Sequence, residues 1–484
     1  MQARHVIIGA GPAGLTTAWQ LEAHGQRTLI LEEDPHYVGG IARTVEYRGN
    51  RFDLGGHRFF SKSQAINRLW QDMLPGGFEE VERLSRIYYG GHFFPYPLKI
   101  GPTLRGLGLW TSGCILASYL WSRLRPRKEE VSFEDWIVNR FGYRLFAMFF
   151  KTYTEKVWGI PCDRISKDFA AQRIRGLSLV EAVRNALFPP RSERVKSLIS
   201  TFLYPKLGPG QLWEAVRDHL VTRGHLLEMG RRVVAVHHAE GTVRAVSTHD
   251  GCRHPGEHFY STMTLRDLIL SLDPPPPPEV LEAARSLTYR DFLIVALIVR
   301  RPDVFRDNWI YIHDSAVQVG RIQNYRNWSP AMVADPQTTC LGMEYFCNRI
   351  DPIWNTEDQE LVRMASREIA RIGLVPEDAV SDGCVVRVPN AYPVYDDDYE
   401  RHRETIKSYL NRTFRNLYPA GRGGLHAYNN QDHSMMTATL SVRNMMEGTG
   451  FDVWAVNSDA EYAEEGEACA KLEERLVPRS VSSR

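Results

Sequence analysis

The chain has 484 residues, 43% of them hydrophobic and 24% charged, too long for one ordinary core and typical of a globular protein of two or three packed domains. A formal net charge of +1 argues against a global field for nucleic acid or an anionic membrane, so an anionic ligand has to be gripped by local arginines. Its seven cysteines are odd in number and show no CxxC spacing. They support neither a disulfide framework nor a zinc site, which fits a reducing cytoplasm.

No signal peptide is expected at the start, because the apolar run Val6 to Ile8 enters a glycine turn at once and reads as a strand. Residues 4–34 read strand, glycine turn, helix, strand. The turn is Gly9-Ala10-Gly11-Pro12-Ala13-Gly14. Its glycines serve a tight turn, close approach of backbone to a pyrophosphate, and close helix–sheet packing. The free N–H groups of the helix start would face the phosphates. The next strand ends at Glu32, whose carboxylate can accept both ribose hydroxyls, with Glu33 as the second choice. In "YVGGIART", Gly39 and Gly40 predict a second glycine turn near the pyrophosphate, and Arg43 is placed to reach the phosphates or a flavin. That second turn selects FAD over a nicotinamide.

Residues 37–65 are rich in glycine and aromatics and show no helical period. From about 66 to 200, Leu, Phe and Trp recur at three- and four-residue spacing, which predicts helices. Leu107 to Trp121 is shorter than the roughly 20 residues of a membrane span and is interrupted by Thr111, Ser112 and Ser118. A buried or amphipathic helix is expected there, with membrane contact as the lesser alternative, and no transmembrane segment. Gly208-Pro209-Gly210 opens another helix, and 225–251 reads as short strands with turns. The five prolines 274–278 mark a linker or rim loop. Residues 290–400 mix β-rich pieces with a helix near 357–372, and a last helix follows the glycines of 421–424.

The expected class is α/β (α+β mixed): a Rossmann-type FAD-binding domain with a helical insert and an antiparallel β substrate domain. The FAD-binding domain is assigned to 1–65, 205–272 and 410–460. The mainly helical insert takes 66–204, the mixed β substrate domain 279–409, and an acidic flexible tail 461–484.

Several motifs carry a family resemblance. "DLGGHRFFSK" (53–62), "YTEKVWG" (153–159), "AAQRIRG", "LTYRDF" (287–292) and "GRGGLHAYNNQDHSMMTA" (421–438) resemble segments of the flavin group that holds amine oxidases, protoporphyrinogen oxidases and UDP-galactopyranose mutases. Within that group they look most like the mutases. The resemblance implies His57 on a loop beside the flavin, Trp158 against the substrate, and Arg173 and Arg290 on the nucleotide diphosphate. It implies Arg422 near the flavin, Tyr428 near the substrate phosphates, and a helix from about Asp432 aimed at the flavin O2 region. Gly56, Val233 and Met435 also fall to the cofactor. "PNAYPVYDDDY" (389–399) offers Tyr392 or Tyr395 to the substrate, and "RIQNYRNWSP" (321–330) has an arginine and aromatics that cannot be aligned residue by residue. His57, Arg173 and Arg290 are the implied catalytic set.

The implied activity is a pyranose/furanose mutase of a nucleotide-diphosphate sugar, with reduced FAD as nucleophile at the anomeric carbon and NAD(P)H as an available electron donor. Its partners would be that sugar and no nucleic acid, with a homodimer left open and a cytoplasmic location. No GxSxG, HExxH or metal-ligand cluster occurs, and UDP, GDP and dTDP all stay open. The alternative is an FAD-dependent oxidoreductase, an oxidase or desaturase on another small molecule, since the same fold hosts both.

Overall fold

The structure, a computed structural model, describes residues 4–96, 100–167 and 201–456. Arg173 and the stretch 461–484 lie outside the described residues.

His5–Ile8 is apolar at every position but the first, and it becomes the middle of a five-stranded parallel sheet in the order Leu417–Pro419, His258–Ser261, His5–Ile8, Thr28–Leu31, Leu226–Glu228. Parallel strands are covered on both faces, which is why they read as continuous hydrophobic runs. Val6, Ile8, Leu29 and Leu31 face one core, and Ile7 and Ile30 face the other. Helix Pro12–Ala23 follows the first strand with proline in its first turn, where the missing N–H costs nothing. A second, four-stranded sheet carries Arg253–Pro255, Thr242–Thr248, Val233–Ala239 and Leu272–Asp273.

The third sheet has seven strands, in the order Val380–Pro393, Tyr289–Val299, Thr339–Cys347, Arg321–Asn324, Trp309–Ile312, Ser85–Tyr89, His92–Pro95. All neighbours are antiparallel except Trp309–Ile312 with Ser85–Tyr89. Tyr289–Val299 is buried throughout. Its even members Phe292, Ile294, Ala296 and Ile298 join the aromatic core with Trp158 and Tyr392, while Leu293, Val295, Leu297 and Val299 pack on helix Asp358–Ile372. This is the period-two alternation of a strand between two layers.

The fold is thus mixed α/β, with a Rossmann-like unit and an added antiparallel sheet, as the sequence predicts. Pairing runs across the expected segments. Ser85–Tyr89 and His92–Pro95, from the stretch read as mainly helical, extend the seven-stranded sheet, and Phe78–Glu82 pairs with Thr201–Pro205. Helices Pro278–Ser286 and Tyr399–Thr413 pack under the parallel sheet through Val280, Ile406 and Leu410. Local periodicity does not carry this information, because strand partners are chosen by tertiary packing. Helix Ile100–Leu124, which covers the apolar run at 107–121, turns much of that run outward: Trp110, Leu116, Leu120 and Trp121 are exposed.

Candidate functional site

A single cavity of about 1100 Å³ runs from the glycine turn of the parallel sheet to the aromatic face of the seven-stranded sheet.

At the Rossmann end, Gly9, Gly11, Pro12 and Ala13 line it, facing Gly40 of the second glycine turn. A Cβ added to Gly11 would already be in van der Waals contact with Gly40, 3.8 Å from its Cα, so the two glycine turns approach closely at this end of the cavity. Gly14 does not line the cavity. A Cβ there would run into the carbonyl of Gly9, so this glycine serves the close approach of helix to strand. Glu32 lines the cavity with Glu33, and its carboxylate accepts the amides of Ala10 (2.5 Å) and Asp34 (2.9 Å). Burial pushes its pKa up. A carboxylate has about four acceptor sites, so two backbone amides leave capacity for ribose hydroxyls. Val233 lines the same end.

Arg43 departs from expectation. It is bound to Asp34 at 2.5 Å and lies over the Tyr37 ring, off the cavity wall. An acid nine residues away supplies its counter-charge. Met435 departs too. It sits in the core behind the parallel sheet, where its sulfur accepts the Trp70 indole N–H at 3.0 Å.

In the middle of the cavity lie Gly56 and His57. Gly55, at φ +102°, makes the turn that aims this loop, and a side chain there would meet Arg321 Nη2 at 3.6 Å and His57 Nε2 at 3.8 Å. His57 Nε2 donates to the Leu54 carbonyl at 2.9 Å, the tautomer following from that acceptor. Burial, then the charges of Arg422 and Arg321, pull the His57 pKa down to about 4, so the ring is neutral at neutral pH. The loop rests on a buried network below it. Asp53 accepts the Tyr204 hydroxyl (2.5 Å) and the Thr44 hydroxyl (2.8 Å), and Tyr325 donates to the Asp53 carbonyl (2.7 Å). Burial pushes the Asp53 carboxyl up to about 7.

Opposite, helix Gln431–Glu447 points its start at the cavity, with Asn430, Gln431, Asp432 and Ser434 on the wall. Asn430 and His433 form a reciprocal cap. Gln431 gives its oxygen to Trp213 (2.9 Å), and its buried Nε2 has no protein partner. The positive end of the helix faces this space.

The far end is aromatic. Trp158 and Tyr428 have centroids 5.7 Å apart, and Tyr392 and Tyr428 stack at 5.7 Å and 16°. The Arg422 guanidinium lies over both tyrosines, at 5.4 and 5.0 Å, and donates to the carbonyls of Asn429 (2.8 Å) and Ala391 (3.1 Å). Tyr395 stands behind, its hydroxyl accepting the Tyr428 amide at 2.7 Å.

Arg290 is the clearest departure. It is buried off the cavity and donates to the carbonyls of Val157 (3.3 Å), Lys156 (3.4 Å) and Phe346 (3.0 Å), with Asp351 at 3.5 Å. It therefore caps the end of helix Thr152–Trp158, where carbonyls lack intrahelical partners and the dipole favours a cation. Lys156 pins the same helix from the other side, donating to the carbonyls of Asp314 (2.6 Å), Val317 (2.7 Å), Val319 (3.2 Å) and Ile312 (3.5 Å). Both cations position Trp158.

Arg321 stands on the cavity wall instead. It forks onto the fully buried Glu344 (Nε to Oε2 2.9 Å, Nη2 to Oε2 2.6 Å), and Gln323 donates to the same carboxylate at 2.8 Å. Arg349, whose side chain is 55% exposed, holds the rim with a loose contact of 3.8 Å to Asp291. Tyr153, stacked on His313 at 4.8 Å, also faces in. Sequence reading assigned no role to Arg321, Glu344, Arg349 or Tyr153. The arginine and aromatics of 321–330 were a visible signal without a register, while Arg349 and Glu344 follow no local pattern.

An NAD(P)-binding Rossmann-like domain model matches residues 7–73. In fold the chain is similar to a crystal structure of reduced UDP-galactopyranose mutase, with TM-score 0.82 and 21% identity over 95% of this chain and 97% of that one. In sequence it is similar to coproporphyrinogen III oxidase of Propionibacterium freudenreichii subsp. freudenreichii, 25% identical over 187 residues, 35% of this chain and 34% of that protein. It is also similar to phytoene desaturase of Fusarium fujikuroi, 24% identical over 285 residues, 54% of this chain and 49% of that protein. The chain spans a third to a half of the length of these curated relatives.

Proposed function

We propose that the chain binds FAD along the Rossmann arm of the cavity and acts on a nucleoside diphosphate sugar held in the aromatic arm, as a pyranose/furanose mutase. The observation that carries this reading is the continuity of the cavity from the glycine turns at Gly11 and Gly40, past His57, to the Trp158–Tyr392–Tyr428 cage. The chain's residues fit the cofactor. Glu32 keeps acceptor capacity for ribose hydroxyls, and the cavity wall at Gly11 and Gly40 carries no side chain that would keep a pyrophosphate from the backbone. The start of helix Gln431–Glu447 offers positive potential to an anionic reduced ring.

Reduced FAD, when bound, supplies a nucleophilic nitrogen for the anomeric carbon. Everything else falls to the chain. Trp158, Tyr392 and Tyr428 present flat faces to a sugar and exclude water. His57, on the cavity wall, would stand beside the ring as a neutral imidazole. The diphosphate leaving group needs cations that hold it for its return. Arg349 at the rim and Arg321 beside His57 take that role here, with Arg173 assigned to it by its motif and Arg290 reassigned to positioning Trp158.

A second reading, an FAD-dependent oxidoreductase, draws on a different observation. The cavity continues into an apolar arm lined by Ile87, Phe149 and Phe150, suited to a hydrophobic substrate. The names of the oxidase and desaturase relatives point the same way. The test is incubation of the purified protein with UDP-, GDP- and dTDP-hexoses, with FAD oxidised and then reduced by dithionite or NAD(P)H without oxygen. An isomeric nucleotide-sugar peak that needs reduced flavin supports the mutase and names the base. No new peak, with turnover of an electron-accepting dye on apolar substrates, refutes it in favour of the oxidoreductase.

A further inference from the structure

Beyond Gly108, which breaks the helical backbone at φ +79°, helix Ile100–Leu124 continues as one rod of about 24 Å. Its exposed positions are Trp110, Gly113, Leu116, Ala117, Leu120, Trp121, Arg123 and Leu124. Seven of these recur at three- and four-residue spacing, and all seven are apolar or glycine. The inward side is the more polar one. Ser122 is buried, and Ser118 accepts the Arg144 amide at 3.1 Å. A helix on a soluble protein turns its apolar stripe inward, and this one is inverted. Trp110 is 85% exposed, Leu124 80% and Trp121 59%, so the stripe forms one apolar patch with a tryptophan near each end.

We propose that this face rests on an anionic lipid surface, lying in the interface without crossing it. Three observations select this occupant. No described helix is long and apolar enough to cross a membrane, so the contact proposed is interfacial and not spanning. Tryptophans are suited to the headgroup boundary, being apolar in body with one polar edge. The helix end is rich in cations: residues 107–128 contain Arg123, Arg125, Arg127 and Lys128 and no Asp or Glu, and of the two glutamates that follow, Glu130 pairs with Arg140. Arg127 is engaged by Glu134 and Asp135, while Arg123, Arg125 and Lys128 are exposed beside the stripe. A second copy docking on the same face would set Arg123 and Arg125 against their own copies.

The placement also has a use. Leu107, just before the break at Gly108, packs on the cluster of Ile87, Phe94 and Phe149, and Ile87 and Phe149 line the apolar arm of the cavity. Seating the helix brings that arm to the lipid boundary.

The test uses the full-length holoprotein and sedimentation with vesicles of phosphatidylcholine, with and without phosphatidylglycerol. The protein is expected to pellet with the anionic vesicles and far less with the neutral ones. Arg123→Ser with Arg125→Ser should weaken the partition by about fivefold per arginine. Leu116→Ser with Leu120→Ser should weaken it about tenfold or more while melting temperature and flavin content hold. Should those variants misfold, quenching of wild-type tryptophan fluorescence by brominated lipid reads the same contact. The proposal falls if wild type ignores anionic vesicles, if the substitutions leave partition unchanged, or if light scattering shows a dimer that Leu116→Ser/Leu120→Ser splits without any vesicle binding.

Discussion

Asp53 gives the sharpest test of the structure, because burial outweighs the two hydrogen bonds that favour its charged form. Its carboxyl is fully buried under the His57 loop and held by two hydroxyls, and burial lifts its pKa from 3.8 to about 7. In the unfolded chain the group titrates near its ordinary value, so between about pH 4 and pH 7 the folded state holds a proton that the unfolded state has released. The stabilising contribution is therefore complete below about pH 4 and is lost as pH rises through 7. From pH 5 to pH 8 the loss is about 3 kcal/mol, at about 1.4 kcal/mol per pKa unit. Asp53→Asn keeps the size and resembles the protonated carboxyl in having both a donor and an acceptor. Its urea-unfolding stability relative to wild type should therefore rise by about 3 kcal/mol between pH 5 and pH 8. Comparing variant with wild type at each pH cancels the buried histidines, whose lowered pKa values act in the opposite sense. A difference that stays flat over this range would refute the buried, proton-holding Asp53.

Gly11→Val should leave the fold intact and abolish bound flavin, because its Cβ and methyls would fill the gap to Gly40; wild-type absorbance near 450 nm in the purified variant refutes the assignment of this end of the cavity to the cofactor. His57 is neutral well above about pH 5, so His57→Gln should change the level of flavin-dependent turnover but not the shape of its pH profile between about pH 6 and pH 8. Arg349→Ala should raise KM for a nucleotide sugar about tenfold or more while leaving flavin content and melting temperature unchanged, and an unchanged KM refutes its place on the diphosphate.

What sequence could give depended on how local the signal was. The first βαβ unit is contiguous, and its turn, helix and terminal Glu32 all stand where spacing puts them. The aromatic cage was legible one motif at a time, since Trp158, Tyr392 and Tyr428 each sit in a recognisable segment although they come from three different elements. Arginines were the weak point. A sequence shows that a cation is present but not which acceptor lies nearest. Arg43 found Asp34, Arg290 found a helix end, and Arg321, read only as part of an unaligned segment, found Glu344 on the cavity wall. The outer helix is there as expected, but which way its stripe faces was not legible, for a related reason. Periodicity fixes which residues share a stripe but not whether that stripe meets the core or the outside.

The reassignment of Arg290 leads to a consequence that a substrate-binding arginine would not have. Arg290 and Lys156 hold one short helix from two directions, and they touch through the Lys156 carbonyl, which accepts from Arg290 Nη2 at 3.4 Å. Arg290→Leu leaves the Val157, Lys156 and Phe346 carbonyls without their cation, at a cost of about 3 kcal/mol. Lys156→Met keeps the aliphatic stem but leaves four carbonyls of the 312–319 turn without a donor, at a similar cost of about 3 kcal/mol. Once either cation is gone the end of the helix can fray, and the second substitution then has less left to lose. The double variant should accordingly be less destabilised than the sum of the singles by about 1–2 kcal/mol in urea unfolding. Both singles should also shift the emission of tryptophan at position 158, read as the difference from Trp158→Phe. Strict additivity, with unchanged Trp158 emission, would mean that the two cations serve separate structures. Arg290 would then be free to be considered again as a ligand for phosphate.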